Sequence, residues 1–279
     1  MQVWSWLFLA GLWAGAQNAL AGGGSFVTLP ALILSGLDAR AANITSTIAL
    51  FPGQVTTGLV GRRLVAGAES LSFRALFVIS LAGGVVGAFL LLETPAGFFA
   101  KLVPWLVLFG TAVFAWESFF GKPTQGKTAL NPLAAGSAQV LIAVYGGYFG
   151  GGISLLMLAT LTAAGVRVHT AEATKNALAG VMNASAVAVF AFSGDVHWLP
   201  AFVLGVGAIA GGLLGSWLLK WVNDRALRIG IVTLGVALTA GLFSVRPLIG
   251  CKGAERADPS SLSGKQKLRA INPPTHVSA

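Results

Sequence analysis

Two apolar stretches of this chain carry polar side chains at helical spacing, and these side chains are the best placed to contact a solute. In the stretch 170–190, Glu172 and Asn176 are four residues apart, and Asn183 follows seven residues later. Both intervals place residues on one face of an α-helix. Polar side chains that face lipid are costly, so this face must turn to neighbouring helices or to a water-filled cavity.

The stretch 41–60 carries a matching polar face. Thr47 and Gln54 are seven residues apart, and each lies 129 positions before its counterpart in the second stretch, Asn176 or Asn183 (176 minus 47, 183 minus 54). Hydrogen bonding between helices is one explanation for such residues. We favour a cavity lining, because the polar face is present twice and each copy adjoins a glycine-rich break.

Lys175 is the cation of the second polar stretch, and Glu172 lies one turn before it. A lysine here would bind an anionic substrate as a point charge. Glu172 would neutralise the lysine when the site is empty, or would carry a coupled proton. Alternatively, Lys175 lies about two turns from the helix start and extends its ammonium to the membrane interface. The sequence leaves both interpretations open.

Two glycine triplets interrupt long apolar runs, and both are expected to break a helix. The six residues are Gly22, Gly23, Gly24, Gly150, Gly151 and Gly152. Each glycine costs about 1 kcal/mol in a helix interior relative to alanine. The helix that resumes after a break offers unpaired backbone N–H groups and the positive end of its dipole, which together favour an anion. We favour an anion site over the alternative that the triplets serve only close helix packing.

Other glycines recur at every fourth position, a spacing typical of helices in close contact. The pairs are Gly11 and Gly15, Gly83 and Gly87, Gly207 and Gly211, and Gly211 and Gly215. We interpret these pairs as structural.

The composition indicates a membrane protein. Of the 279 residues, 55% are hydrophobic and only 10% are charged, whereas a soluble domain carries roughly 25% charge. Apolar segments long enough to cross the hydrocarbon core recur along the chain. In such a protein a net charge of +9 points to anionic lipid and not to nucleic acid. We therefore expect the lipid bilayer, and no nucleic acid, as a partner.

Residues typical of an enzyme or a metal centre are missing from the sequence. It contains one cysteine and three histidines, none at metal-ligand spacing. It has no nucleophile elbow, nucleotide-binding loop or zinc-protease helix. We expect no catalytic residue, no metal and no cofactor, and any active transport would use an ion gradient.

The pattern of motifs occurs twice. Gly22 and Gly150 are 128 positions apart (150 minus 22), and Thr45 and Thr174 are 129 apart. The sequence therefore predicts an all-α polytopic membrane protein of about eight transmembrane helices. These helices form two homologous halves with glycine-broken first helices. The first repeat covers 1–125, the second covers 126–250, and a basic tail at 251–279 is expected to be disordered.

The charges leave the orientation of the repeats open. A basic cluster at Arg62 and Arg63 lies two spans before another at Lys122 and Lys127, so both clusters can be cytoplasmic. We favour parallel repeats with a cytoplasmic tail. Inverted repeats, which would place the tail outside, stay the alternative.

With these residues the chain resembles the TauE/SafE family of bacterial permeases, also called the toluene-sulfonate uptake permease group. The similarity lies in "AGGGSFVTLPALILSG", "ITSTIALFPG", "GGYFGGGISLLML" and "ATKNALAGVMNASAVAVFAFSGDVHW", and covers nearly all of 1–250. The resemblance implies a multi-pass protein of the bacterial inner membrane with two homologous halves. It also implies transport of small sulfur-containing or organic anions, such as sulfite, sulfoacetate or sulfonates, driven by protons.

The resemblance also implies a set of substrate-binding residues. Carried onto this sequence, they are Gly22, Gly23, Gly24, Thr45, Ser46, Gly150, Gly151, Gly152, Thr174, Lys175, Asn176 and Asn183. To these we add Thr47 and Gln54 from the polar face, and Glu172 as the candidate for proton coupling. Tyr145 and Tyr148, just before the second triplet, would narrow the pocket.

We therefore expect a secondary transporter of a small anionic solute, with a passive anion channel as the alternative function. Homodimerisation through a glycine-rich face is a further hypothesis.

Overall fold

The structure is a computed structural model that describes residues 2–20, 22–60, 62–68, 71–120 and 131–218, and ten positions between 229 and 241. The loop with Lys122 and Lys127 lies outside the described residues, as does the tail at 251–279. In the last part of the second predicted repeat, beyond residue 218, only those ten positions are described.

The described chain is helical and has no named strand. Its α-helices are α1 Gln2–Leu20, α2 Ser25–Leu34, α3 Ala39–Val60, α4 Phe73–Glu93, α5 Ala96–Phe120, α6 Pro132–Tyr148, α7 Ile153–Ala163, α8 Val168–Phe190 and α9 Trp198–Leu218, with a 3-10 turn at Arg62–Leu64. These bounds agree with the apolar segments of the sequence, and the predicted all-α fold is confirmed for this part of the chain.

Three of the described helices are long and apolar enough to cross a membrane by length and composition alone. They are α4 over Phe73–Glu93, α5 over Ala96–Val113 and α9 over Trp198–Gly215. The polar residues of α3 and α8 lower their mean hydropathy, while α2 and α7 are only 10 and 11 residues long. The arrangement of eight crossings in two halves stays a prediction.

Both glycine triplets end a helix, as predicted. Gly22 and Gly23 have φ near +81°, and Gly150 and Gly152 have φ of 76° and 78°. Residues with a Cβ atom rarely adopt these angles, which explains why glycine occupies the breaks. Each break is followed by a short helix and then by a long polar helix, so the order α1–α2–α3 recurs as α6–α7–α8.

The glycines at fourth-position spacing bring helix backbones into contact, which confirms their structural role. Helix α1 packs along α9, where methyl groups at Gly11, Gly15 and Gly207 would overlap the carbonyl oxygens of the facing helix. Helix α4 packs along α6 in the same way, with Gly83 against Ala143. Because these glycines serve contacts within one chain, a contact between two copies would have to use another face.

The polar helices lie at the centre of this packing. Helix α3 contacts α8 and α9, and α8 also contacts α4. The short helices pack beside them, α2 on α3 and α7 on α8. A buried apolar cluster that includes Ile142, Ile153 and Met182 joins α6, α7 and α8. This packing holds the start of α7 against the rest of the bundle.

The close contact between α1 and α9 gives a test with a neighbouring control. A methyl group at Gly211 would overlap the carbonyl oxygen of Leu12, whereas one at Gly212 would lie 3.8 Å from its nearest neighbour, the carbonyl oxygen of Gly15. We expect Gly211→Ala to destabilise the protein by about 1–3 kcal/mol. Gly212→Ala should leave stability unchanged or raise it slightly, because alanine is the better helix former. Thermal unfolding in detergent measures the stability of both variants. Equal destabilisation by the two substitutions would contradict the close contact at Gly211.

Candidate functional site

The two helix breaks, 128 positions apart in sequence, meet in the structure. A methyl group at Gly22 would lie 3.3 Å from the Ser154 hydroxyl oxygen, in the first turn of α7. From the other side, one at Gly151 would lie 3.3 Å from the ring of Phe26, in the first turn of α2. The beginnings of α2 and α7 are therefore in contact, and α5 adjoins them through Gly110.

Both helix starts follow a glycine that offers no side-chain cap, Gly24 before α2 and Gly152 before α7. The N–H of Gly24 itself donates to the Asn18 side-chain oxygen at 2.7 Å. The first N–H groups of a helix have no partner within the helix, and the dipole makes this end positive. Both helix starts therefore present a positive end that favours an anion.

Gln17 also lies at the first break, and sequence analysis did not select it. Its side-chain NH₂ donates to the carbonyl oxygen of Gly23 at 3.1 Å, and the residue is only 3% exposed. Its other polar atom, Oε1, is buried and has no hydrogen-bond partner among the described residues. The sequence did contain a pattern that could have selected Gln17, because Gln17 and Asn18 are two adjacent polar residues just before the triplet.

Ser46 is connected to the first break through α2. Its hydroxyl lies 2.5 Å from that of Thr28, and the Thr28 hydroxyl is also 3.3 Å from the carbonyl oxygen of Gly24. Both residues are fully buried. The structure therefore links this predicted residue of α3 to the break.

Thr45 and Thr174, by contrast, hold backbone segments. Thr45 accepts a hydrogen bond from the backbone N–H of His197 at 3.3 Å. Thr174 accepts from the N–H of Ala66 at 3.1 Å and donates to the carbonyl oxygen of the same residue at 2.9 Å. Each threonine thus binds the segment that follows the other polar helix. Their hydroxyls are already engaged in the structure as it stands.

The predicted polar faces of α3 and α8 are largely turned inwards. Thr47 donates to the carbonyl oxygen of Asn43 at 2.9 Å, and Asn183 donates to that of Ala179 at 3.0 Å, so both bond to their own helix. Gln54 and Asn176 are half-buried. The Oε1 atom of Gln54 is buried and has no partner among the described residues.

Lys175 is buried and paired, and does not extend to the surface. Its ammonium lies 2.7 Å from the Glu172 carboxylate, and the two side chains are 9% and 43% exposed. A buried lysine needs a countercharge, because an unpaired charge away from water is strongly unfavourable. This pair takes no part in the contacts that join the two breaks. It occupies the N-terminal part of α8, near Thr174 and the segment around Ala66.

Comparison with known proteins identifies the family. Residues 7–242 match the family described as "Sulfite exporter TauE/SafE". The chain belongs to the TauE/SafE family. The resemblance read from the sequence motifs is thereby confirmed, and the match spans the described helices from the middle of α1 onwards.

Curated relatives of this chain carry transporter names. A "Probable membrane transporter protein" of Haemophilus influenzae is 27% identical over 237 residues, covering 84% of this chain and 92% of the relative. "Probable membrane transporter protein ORF9" of a Sinorhizobium species is 28% identical, covering 86% and 92%. "Probable membrane transporter protein YfcA" of Escherichia coli is 27% identical, covering 85% and 88%. No solved structure matches the chain. As a TauE/SafE protein, the chain is a multi-pass membrane transporter.

A second polar cluster in this TauE/SafE chain was not expected from sequence. Arg40, at the start of α3, donates to the carbonyl oxygens of Leu92 and Thr94, both at 3.0 Å. Its guanidinium also pairs with the Asp195 carboxylate at 3.0 Å. One side chain therefore ties the turn between α4 and α5 to the segment between α8 and α9.

The same cluster explains the "SGDVHW" motif of the family resemblance. Within it, Asp195 binds Arg40, and the backbone N–H of His197 binds Thr45. The Tyr148 hydroxyl donates to that of Thr94 at 3.3 Å, which extends the cluster to the end of α6. The motif thus fixes the segment before α9 to the start of α3 and does not enter the contact between the breaks.

A double-mutant cycle tests whether the Arg40 cluster stabilises the fold. Hydrogen bonds that involve a charged group contribute about 1.5–3 kcal/mol. We expect Arg40→Ala to destabilise the protein by about that amount, and more than Asp195→Ala, because Arg40 also binds two carbonyl oxygens. The double variant should show a coupling of at least about 0.5 kcal/mol. Unfolding of the four proteins in detergent measures it, and strictly additive effects would show that the ion pair contributes nothing.

Proposed function

We propose that this protein is a secondary transporter that moves a small oxyanion together with protons, and that the anion binds where α2 and α7 begin. The observation that carries the proposal is the contact between these two helix starts, with Gly22 beside Ser154 and Phe26 beside Gly151. Helix N-termini favour anions through their free N–H groups and their dipoles. Breaks near the middle of membrane helices are a known location for transporter sites.

The size and chemistry of the substrate follow from this location. Space at the breaks is small, because Phe26, Ser154 and Gly110 already lie against the glycines, and backbone donors suit a compact ion with several acceptor oxygens. The family name refers to sulfite, which has this form. We propose sulfite, sulfonates or related sulfur or organic anions as the substrate class, and the bacterial inner membrane as the location.

We further propose that the chain consists of two homologous repeats, 1–125 and 126–250, with about eight crossings in total. The recurring order of long, short and polar helices supports this. So does the reciprocal bonding of Thr45 and Thr174, each to the segment after the other polar helix. Under this proposal α3 and α8, which are in contact, flank the transport pathway.

Lys175 and Glu172 are proposed as the coupling pair. In the structure they neutralise each other at 2.7 Å. On its path to or from the helix starts, the anion would pair with Lys175 in place of the carboxylate, and the displaced Glu172, which is 43% exposed, would take up a proton. Anion and proton would then move together.

The function is tested with the purified protein in liposomes loaded with buffer and given an inward proton gradient. A coupled carrier accumulates radiolabelled sulfite above its external concentration, and the accumulation collapses when a protonophore is added. A passive channel only equilibrates sulfite across the membrane. Equilibration without accumulation would contradict the proposal in favour of the channel.

The coupling pair gives a sharper prediction in the same liposomes. We expect Glu172→Gln to abolish accumulation driven by the proton gradient but to retain exchange of internal for external sulfite, because exchange needs no net proton movement. Lys175→Ala should lose both, by at least about tenfold, because the anion loses its countercharge. Glu93→Gln, which alters an exposed carboxylate, is the matched control. Normal accumulation by Glu172→Gln would remove Glu172 from the coupling.

A further inference from the structure

We infer that Gln17 recognises the transported ion: its side-chain oxygen accepts a hydrogen bond from an O–H or N–H group of the substrate. The protein would therefore select oxyanions that carry a hydrogen-bond donor, such as hydrogen sulfite or an aminosulfonate, over oxyanions that carry none. This inference rests on the proposed function and adds a specificity residue to its site.

The orientation of the Gln17 amide follows from its neighbour. Rotating a side-chain amide by 180° exchanges its O and N atoms, so the two atoms must be assigned from their hydrogen-bond partners. The neighbour is the carbonyl oxygen of Gly23, 3.1 Å away, and a carbonyl oxygen can only accept. The NH₂ group must therefore face Gly23, and Oε1 must face the other way.

An acceptor in this position requires a donor. Gln17 is 3% exposed, and none of the described residues donates to its Oε1. Buried side-chain polar atoms nearly always have a partner, and an exception in a native fold calls for an explanation. Here the unpartnered atom belongs to a side chain already fixed to the first glycine break, which touches the start of α7. A ligand bound at the break would lie next to this side chain and would supply the missing donor.

Other buried oxygens without partners do not lead to the same conclusion. Gln139 bonds to the Ser80 hydroxyl, which can donate as well as accept, so turning the Gln139 amide satisfies its oxygen. Thr111 lies in α5, where a second χ1 rotamer of threonine brings the hydroxyl to a carbonyl oxygen of the preceding turn. Gln54 has no bonded neighbour in the described chain that fixes its amide. Among the described residues, only at Gln17 does a bonded neighbour force the acceptor to stay unpaired.

The chemistry of the ligand follows from two features of the break, the N–H donors of the helix starts and the acceptor of Gln17. The helix starts provide donors, which need acceptor oxygens on the ligand, and Gln17 provides one acceptor, which needs a donor. A protonated oxyanion such as hydrogen sulfite meets both needs, and so does taurine with its ammonium group. Sulfate and methanesulfonate offer acceptors only. A site with a buried hydrogen-bonding group discriminates strongly against ligands that lack its partner.

Only one of the two breaks carries this acceptor. The position that matches Gln17 in the second half is Tyr145 (145 minus 17 is 128), and its hydroxyl is directed at the carbonyl oxygen of Leu106, 3.5 Å away. The donor of the ligand would therefore face α1, and its oxygens would face the start of α7. This gives the bound ion a single orientation.

The experiment measures competition against labelled sulfite exchange in liposomes that contain the full-length protein. The competitors are unlabelled sulfite, taurine, methanesulfonate and sulfate. For the wild type we expect methanesulfonate and sulfate to compete at least about tenfold more weakly than unlabelled sulfite. Measured against total sulfite, the apparent KM should fall as the pH is lowered and hydrogen sulfite becomes the main species.

Two variants then assign the selectivity to the side chain. Gln17→Met keeps the length but removes the acceptor, so the ratio of sulfite to methanesulfonate potency should fall to near one, through weaker competition by sulfite. Gln139→Met, which alters a buried glutamine of α6 bonded to Ser80, should keep the wild-type ratio. Strong competition by taurine with a KM independent of pH would identify the ammonium as the donor.

The outcomes separate this inference from the proposed function. If the wild-type protein moves no sulfite or sulfonate, the proposed function fails. If it moves sulfite but methanesulfonate competes equally well, the Gln17 inference is wrong, whether or not Gln17→Met folds. Unchanged selectivity in a folded Gln17→Met protein would also overturn it and would leave a bound water as the partner of Oε1.

Discussion

The structure depends on one constraint: backbone groups that leave a helix inside a membrane must find partners or face a cavity, because lipid supplies none. The two glycine triplets create this problem twice, and the fold brings both breaks to the same place. There, Asn18 and Gln17 bind the backbone of the first break. Neither Gly24 nor Gly152 brings a side-chain cap to the helix that follows it. A site for an anion is what such an incompletely satisfied pair of helix ends can provide.

Close contact between helix backbones at glycines keeps the two breaks beside each other. In lipid there is little hydrophobic force between helices, so association relies on close contact and hydrogen bonds. Glycines along α1 and α9 let their backbones touch, as do those on α4 against α6. The first helix of each predicted repeat thereby packs on a later helix of the other repeat.

The polar residues fall into three groups with different tasks. Gln17, Asn18 and Ser46 lie at or near the first break. Arg40 and Asp195 tie together turns that are distant in sequence. Lys175 and Glu172 form a buried charge pair in α8. Under the proposed mechanism, the first break and the charge pair are linked by the ion that passes both and by the helices that join them.

The sequence by itself determined the class of protein, the helix positions and the breaks, since these follow from local hydropathy and from glycine. It also identified the family through its motifs. The tertiary structure decided which polar groups meet. Arg40 and Asp195 are 155 positions apart, and Thr174 and Ala66 are 108 positions apart. No local pattern encodes such contacts, because a side chain's partner depends on which helix packs beside it.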